Sequence, residues 1–225
     1  MTRRNGKYAL LRTLSAAFAL QIAAGASAWA CDGQVGAVVF EDTFADDSGG
    51  WEQMPPENTI KPPYFLAAPD KAATGMASLN LTFTATSGDF CLEAILPPKT
   101  APGGGKGIGI VFYATDYDNF METEVGSDAS IGLWSKKAGK WNTIFKTPSS
   151  PAFKAGPGAS NALRVVALGG TLTVYLNGVQ VKAIRTQVPT GDLRFGVMGE
   201  FLDSSTAIDG SPPIQVTSFK VTAGK

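Results

Sequence analysis

Gly169-Gly170 and Asn177-Gly178, separated by the alternating run Thr171–Leu176, constrain this chain more than any other feature. Two-residue hairpin turns need positive φ, which Gly and Asn adopt at little cost, so the runs from Asn161 to Ile184 are held to one register as a three-stranded antiparallel meander. Counting outward from the turns sets Leu163, Val165 and Ala167 opposite Leu176, Val174 and Leu172, and these opposite Val179, Val181 and Ala183. One face of the meander is therefore apolar. The other carries Arg164, Tyr175 and Gln180 in one cross-strand row, a mixed polar and aromatic surface.

The rest of the chain follows the same style. Val, Thr, Phe and Ile occur in short runs punctuated by 26 Gly and 14 Pro, with no long helical period. Strands are expected at Val38–Phe44, Tyr64–Ala67, Ala77–Thr84, Phe90–Leu96, Ile108–Thr115, Phe120–Val125, Ser130–Ser135, Lys140–Lys146, Asp192–Gly199 and Ile214–Thr222, besides the meander. Residues 52 to 63, rich in Pro and polar groups, read as a long loop, and Pro102 to Gly107 as a Gly-rich connection rather than a phosphate loop. In the hairpin around Asp116-Tyr117-Asp118-Asn119, uniform alternation sets Tyr113 against Glu122 and Val111 against Glu124 on the outer side, with Ala114, Phe112 and Ile110 facing Met121, Thr123 and Val125 within. A four-residue loop at Lys136-Lys137-Ala138-Gly139 would put Trp134 directly across from Trp141. About a dozen strands without helices between them call for an all-β fold of two packed antiparallel sheets.

Residues 1–30 read as a signal peptide: Arg3, Arg4, Lys7 and Arg12 precede an apolar run from Leu14 to Ala26 and a small-x-small end, Ala28-Trp29-Ala30. The apolar run falls short of the ~20 residues that cross a bilayer, and nothing later resembles a span. Arg3-Arg4 hints at twin-arginine export, although Asn5-Gly6 follows where hydrophobic residues are usual. The expectation is a periplasmic or secreted monomer with a single domain over residues 31–225. Loss of four basic residues from the 19 leaves 15 Lys plus Arg against 19 Asp plus Glu, a net charge of −4 that argues against nucleic acid as a partner. In an oxidising compartment Cys31 and Cys91 are expected to form a disulfide, with lipidation of Cys31 as the competing reading. The absence of histidine excludes Ser-His-Asp and Cys-His nucleophiles and histidine-ligated metal sites.

Several motifs together resemble the concanavalin A-like, laminin-G-like jelly-roll superfamily, in particular the bacterial secreted branch grouped with 3-keto-disaccharide hydrolase-like domains. They are Phe40-Glu41-Asp42-Thr43-Phe44 followed by Asp47 to Trp51, Asp118-Asn119-Phe120, Gly139-Lys140-Trp141, Asn161-Ala-Leu-Arg164-Val165, Leu176-Asn177-Gly178 and Phe219-Lys-Val. The resemblance covers nearly all of residues 31–225. It implies two curved sheets, the concave one often bearing a glycan site, and members that range from binding modules to glycosidases.

Glu122 and Glu124 are two apart on one strand and so share a face, the arrangement that paired-carboxylate glycoside hydrolysis requires. Jelly-roll glucanases carry a Glu-x-Asp-x-x-Glu or related run on one strand. Here the run is Glu122-Thr-Glu124-Val-Gly-Ser-Asp128, without the middle Asp and the last Glu. The pair therefore reads as solvated surface, as hydrogen-bonding groups for a glycan, or as catalytic acids. Tyr113, Glu122, Glu124, Arg164, Tyr175 and Gln180 make up the expected saccharide site, with an aromatic plane for ring C–H groups and polar groups for hydroxyls. Cofactors are not expected. Asp116, Asp118 and Asn119, or Asp42, Asp46 and Asp47, offer oxygen ligands for calcium without the spacing of a calcium loop. The expected function is a saccharide- or polysaccharide-binding module. A glycoside hydrolase using Glu122 and Glu124 is one alternative, and an envelope structural or protein-interaction module is the other.

Overall fold

The computed structural model describes residues 30–72 and 74–224. The expected signal peptide lies outside them, save for its last residue. Among the described residues the chain forms fourteen strands: β1 (Val38–Asp42), β2 (Asn58–Lys61), β3 (Tyr64–Ala67), β4 (Gly75–Leu79), β5 (Gly88–Ile95), β6 (Lys106–Asp116), β7 (Asn119–Gly126), β8 (Ile131–Lys137), β9 (Lys140–Thr147), β10 (Ser160–Leu168), β11 (Thr171–Leu176), β12 (Val179–Arg185), β13 (Arg194–Phe201) and β14 (Ile214–Thr222). One sheet runs β12-β11-β10-β5-β14-β3-β2, with β1 also on β14. The other runs β4-β13-β6-β7-β8-β9, and every pairing is antiparallel. No helix among the described residues is long and apolar enough to cross a membrane.

Inward residues of both sheets meet in one core. Leu163, Val165, Leu172 and Val174 from one side pack with Ile108, Ile110, Phe112, Val125 and Leu133 from the other. Phe65, Phe90, Phe112, Phe195 and Phe219 are fully buried, each worth roughly 1.5–3 kcal/mol. Trp51 joins this aromatic cluster against Phe40, Phe44, Phe65, Phe195 and Phe219, and its Nε1 donates to Asp42 Oδ2 at 2.7 Å. Cys31 and Cys91 are disulfide-bonded. Closing a loop of 60 residues contributes ~4 kcal/mol in the chain-entropy model.

Both meander turns have positive φ at both central positions, and the Arg164–Tyr175–Gln180 row forms as counted. Beyond it a bulge between Val174 and Tyr175 shifts the β11–β12 ladder, so Val174 faces Lys182 and Leu172 faces Ile184 instead of Val181 and Ala183. The segment read as a loop over residues 52 to 63 contains β2, which pairs with β3 at the sheet edge. Strand β4 stops at Leu79 because the Asn80 side chain accepts hydrogen bonds from the backbone N–H of Thr82 and Phe83.

Two register differences bear on function. Between Phe112–Met121 and Asp116–Asn119, three residues of β6 stand against the single Phe120 of β7. Tyr113 takes up this excess at φ 56° and turns into the core, while Ala114 joins Val111, Leu79, Phe120 and Met198 on the outer side. Glu122 consequently pairs with Val111, and Glu124 with Gly109. The turn between β8 and β9 is Ala138-Gly139, and a bulge follows Leu133, so Trp134 faces Thr143 and Trp141 faces Lys136.

Candidate functional site

Strict alternation along β7 puts Met121 and Val125 in the core and sends Glu122 and Glu124 to the outer face of the six-stranded sheet. What lies beside them decides what they do. An added Cβ would sit 2.4 Å from the Glu124 carboxyl carbon at Gly107, and 2.2 Å from Glu122 Oε1 at Gly109. The two carboxyl groups therefore lie flat across β6, in space that any other residue would fill. On the far side of β6, Glu200 of β13 pairs with Gly107 and meets Glu124 in a carboxyl–carboxyl hydrogen bond. Gly132 does the same for Trp134, whose indole lies where a Cβ would come within 2.4 Å.

The result is a recess of about 250 Å³ lined by Glu122, Glu124, Trp134, Trp141, Thr143 and Glu200. A hollow of about 440 Å³ adjoins it, sharing Trp141 and Glu200 and adding Met54, Met76, Tyr117 and Met198, so the two form one groove. Trp141 stands between them at 47% exposure, propped edge-on by Phe120 with ring centroids 5.3 Å apart.

Glu122 and Glu124 are only 2% and 4% exposed. Burial is the main cause that raises both pKa values well above the ordinary carboxyl value, and the charge of Glu200 adds to it. For Glu124 the hydrogen bond to Glu200 and the neighbouring Glu122 push the same way, against a smaller opposing effect of Lys146. Glu122 Oε1 is buried without a hydrogen-bond partner among the described residues, which costs about 1–3 kcal/mol.

The other expected ligand residues lie elsewhere. Arg164 and Tyr175 project from the outer face of the eight-stranded sheet, across the core from Glu124, so no pocket is shared between them. Arg164 is paired: its Nε and Nη2 bind Asp89 at 2.7 and 2.5 Å, and its guanidinium lies 5.0 Å from the Tyr175 ring centroid. Gln180 is exposed beside this row. None of the hollows described above is lined by these three residues. Tyr113 is displaced by the β6 bulge and faces the space between the sheets instead of the groove.

The acidic loop residues serve their own turns. Asp42 accepts from Phe44 N and Trp51 Nε1, Asp46 from Ser48 N, and Asp116 from Asn119 Nδ2, while Asp118 pairs with Lys136 at 3.3 Å. Among the described residues no three His, Cys, Asp or Glu side chains are arranged to hold a metal.

Glu200 and the glycines at 107, 109 and 132 were not singled out by sequence reasoning. Gly107-Ile108-Gly109-Ile110 carried a signal, because glycine at alternate positions of a strand leaves one face bare beside the acids of its hairpin partner. Glu200 gave none, since β13 reaches β6 only through tertiary pairing.

No protein-family model matches the sequence, and neither does any curated protein. Solved structures do. A β-glucanase from Bacillus licheniformis superposes with a TM-score of 0.57 at 13% identity, covering 84% of this chain and 99% of that one. The catalytic domain of an endo-1,3-β-glucanase (laminarinase) from Thermotoga petrophila gives 0.58 at 9%, covering 84% and 98%. The Emp47p carbohydrate recognition domain gives 0.59 at 11%, covering 83% and 96%. This chain has the concanavalin A-like jelly-roll fold. At such identities the likeness speaks of fold alone, and jelly rolls carry both enzymes and binding modules. The finer placement beside 3-keto-disaccharide hydrolase-like domains rests on sequence motifs only.

Proposed function

We propose that this protein is an exported, periplasmic or secreted saccharide-binding jelly roll, acting as a monomer, whose site is the groove across its six-stranded sheet. The observation that carries the reading is an exposed Trp141 standing over a recess of buried acids. An indole face suits the C–H side of a pyranose, and Glu200, Glu124 and Thr143 offer acceptors and donors for its hydroxyls. The carbohydrate-directed names of the structural neighbours point the same way. The test is retention on a polysaccharide panel led by β-1,3-glucan, the polymer named for the Thermotoga domain. Binding that Trp141→Ala weakens at least about tenfold is expected. Failure to bind any plant, bacterial or algal polysaccharide ends the reading.

Two neighbouring acids on one face of β7, both with pKa values raised by burial, favour one second reading, a glycoside hydrolase using Glu122 and Glu124. Against it, Glu124 is already engaged by Glu200, and Glu122 and Glu124 are only 2% and 4% exposed. Turnover of a β-glucan that Glu124→Gln abolishes would establish the enzyme; unchanged turnover removes Glu124 from that role. An envelope module without a ligand is disfavoured by the groove itself, since such a role calls for a flat, charged face.

A further inference from the structure

A further hollow of about 370 Å³ opens at the end of the sandwich where the β6–β7 and β8–β9 hairpins turn; it meets the groove at Phe120 and Lys136, and the saccharide reading makes no use of its other walls. Tyr113, Met121, Ser135, Lys137 and Ile144 line it from the six-stranded sheet, and Gln187 and Pro189, which follow β12, from the other side. Its size falls within the ~300–1,000 Å³ of small-molecule sites, and its walls set Phe120, Met121, Ile144 and Pro189 beside polar and cationic side chains.

Tyr113 sets it apart from a packing defect. A φ of 56° for a bulky aromatic residue costs on the order of 1–3 kcal/mol, and the strain delivers the side chain into this hollow. The residue is 2% exposed, its ring is held edge-on by Phe112 at 5.2 Å, and its hydroxyl makes no hydrogen bond among the described residues. Burial raises the phenol pKa above its ordinary 10.0, and the hydroxyl, which no protein group engages among the described residues, is open to a ligand in the hollow. Lys136 is held by Asp118 and by the Tyr117 carbonyl at 2.8 Å, and Asp116 is occupied by Asn119, but Lys137 makes no ion pair among the described residues.

We infer that this hollow is a binding site for a small amphipathic monocarboxylate. Its apolar body lies against Met121, Ile144 and Pro189, its carboxylate meets Lys137, and the Tyr113 hydroxyl donates to one of its oxygens.

Titration calorimetry on the chain without residues 1–30 tests this with octanoate and 4-phenylbutyrate, and with octan-1-ol as the uncharged counterpart. At least one of the acids is expected to bind once per chain, about tenfold more tightly than the alcohol. Lys137→Met should remove that advantage, and Tyr113→Phe should weaken binding about threefold. Ile144→Trp, which fills the hollow, should abolish binding while circular dichroism shows the protein folded. Absence of binding by both acids, binding indifferent to Ile144→Trp, or an acid–alcohol difference that survives Lys137→Met would overturn the proposal. Saccharide retention by these variants should equal that of the wild type, so either reading can fail without the other.

Discussion

The two outer faces of the sandwich handle charge in opposite ways. On the eight-stranded sheet, Arg164 and Asp89 form a bidentate pair over Tyr175, next to the disulfide, so that the two opposite charges answer each other. On the six-stranded sheet, three acids crowd over Gly107 and Gly109, two of them with pKa values raised by burial, one with an oxygen left unpaired. A polar row that satisfies itself stabilises the fold and has little left for a ligand. A row that is desolvated but unsatisfied costs stability, and such sites are where ligand chemistry concentrates.

The contrast can be broken from its strongest side first. Cys31→Ser with Cys91→Ser, behind the Arg164 row, should lower stability by ~4 kcal/mol in denaturant unfolding, with saccharide retention unchanged at temperatures where the protein stays folded. Asp89→Asn leaves Arg164 without its counter-ion and should cost ~3 kcal/mol, or a fall in Tm of about 6–12 °C, again without effect on the groove. An equal loss of saccharide binding in either variant would show that the faces are not independent. Trp141→Ala reverses the pattern, with affinity down about tenfold and Tm nearly unchanged, because the ring is half exposed.

Glu122→Gln sharpens the comparison through pH. Below the ordinary carboxyl pKa of 4.5 the group is protonated in both the folded and unfolded chain, and the substitution should change stability little. As pH rises from 4.5 toward the raised folded pKa, the unfolded chain releases its proton while the folded one keeps it, so the wild type loses stability and the variant does not. The variant should therefore melt about 2–4 °C higher at pH 8, for roughly 1 kcal/mol, with the gap closing near pH 4. A gap that widens on acidification would mean that Glu122 is ionised in the native state.

Much of this was legible in order. Two glycine-bearing turns were enough to place Arg164, Tyr175 and Gln180 in one row, and Glu122 and Glu124 kept their outward direction although their partners changed. The bulge at Tyr113 was not legible, because nothing in Ile108–Thr115 marks where an extra residue is absorbed, and the positive φ falls on a tyrosine instead of a glycine. Neither was the role of Arg164, since Asp89, its partner, lies 75 residues away on a strand that joins β10 only in the folded sheet.

Parity within a ribbon is a local property of the extended backbone, where neighbouring side chains point to opposite sides, so the sequence alone determined the two-faced character of each hairpin and the all-β class. Which ribbons share a sheet, where a bulge resets the count, and which distant residue answers a charge depend on pairings between segments far apart in the chain. Only the tertiary structure decided that the guanidinium and the carboxyl groups, legible as one site from their parity, stand on opposite sides of a core too thick for them to meet.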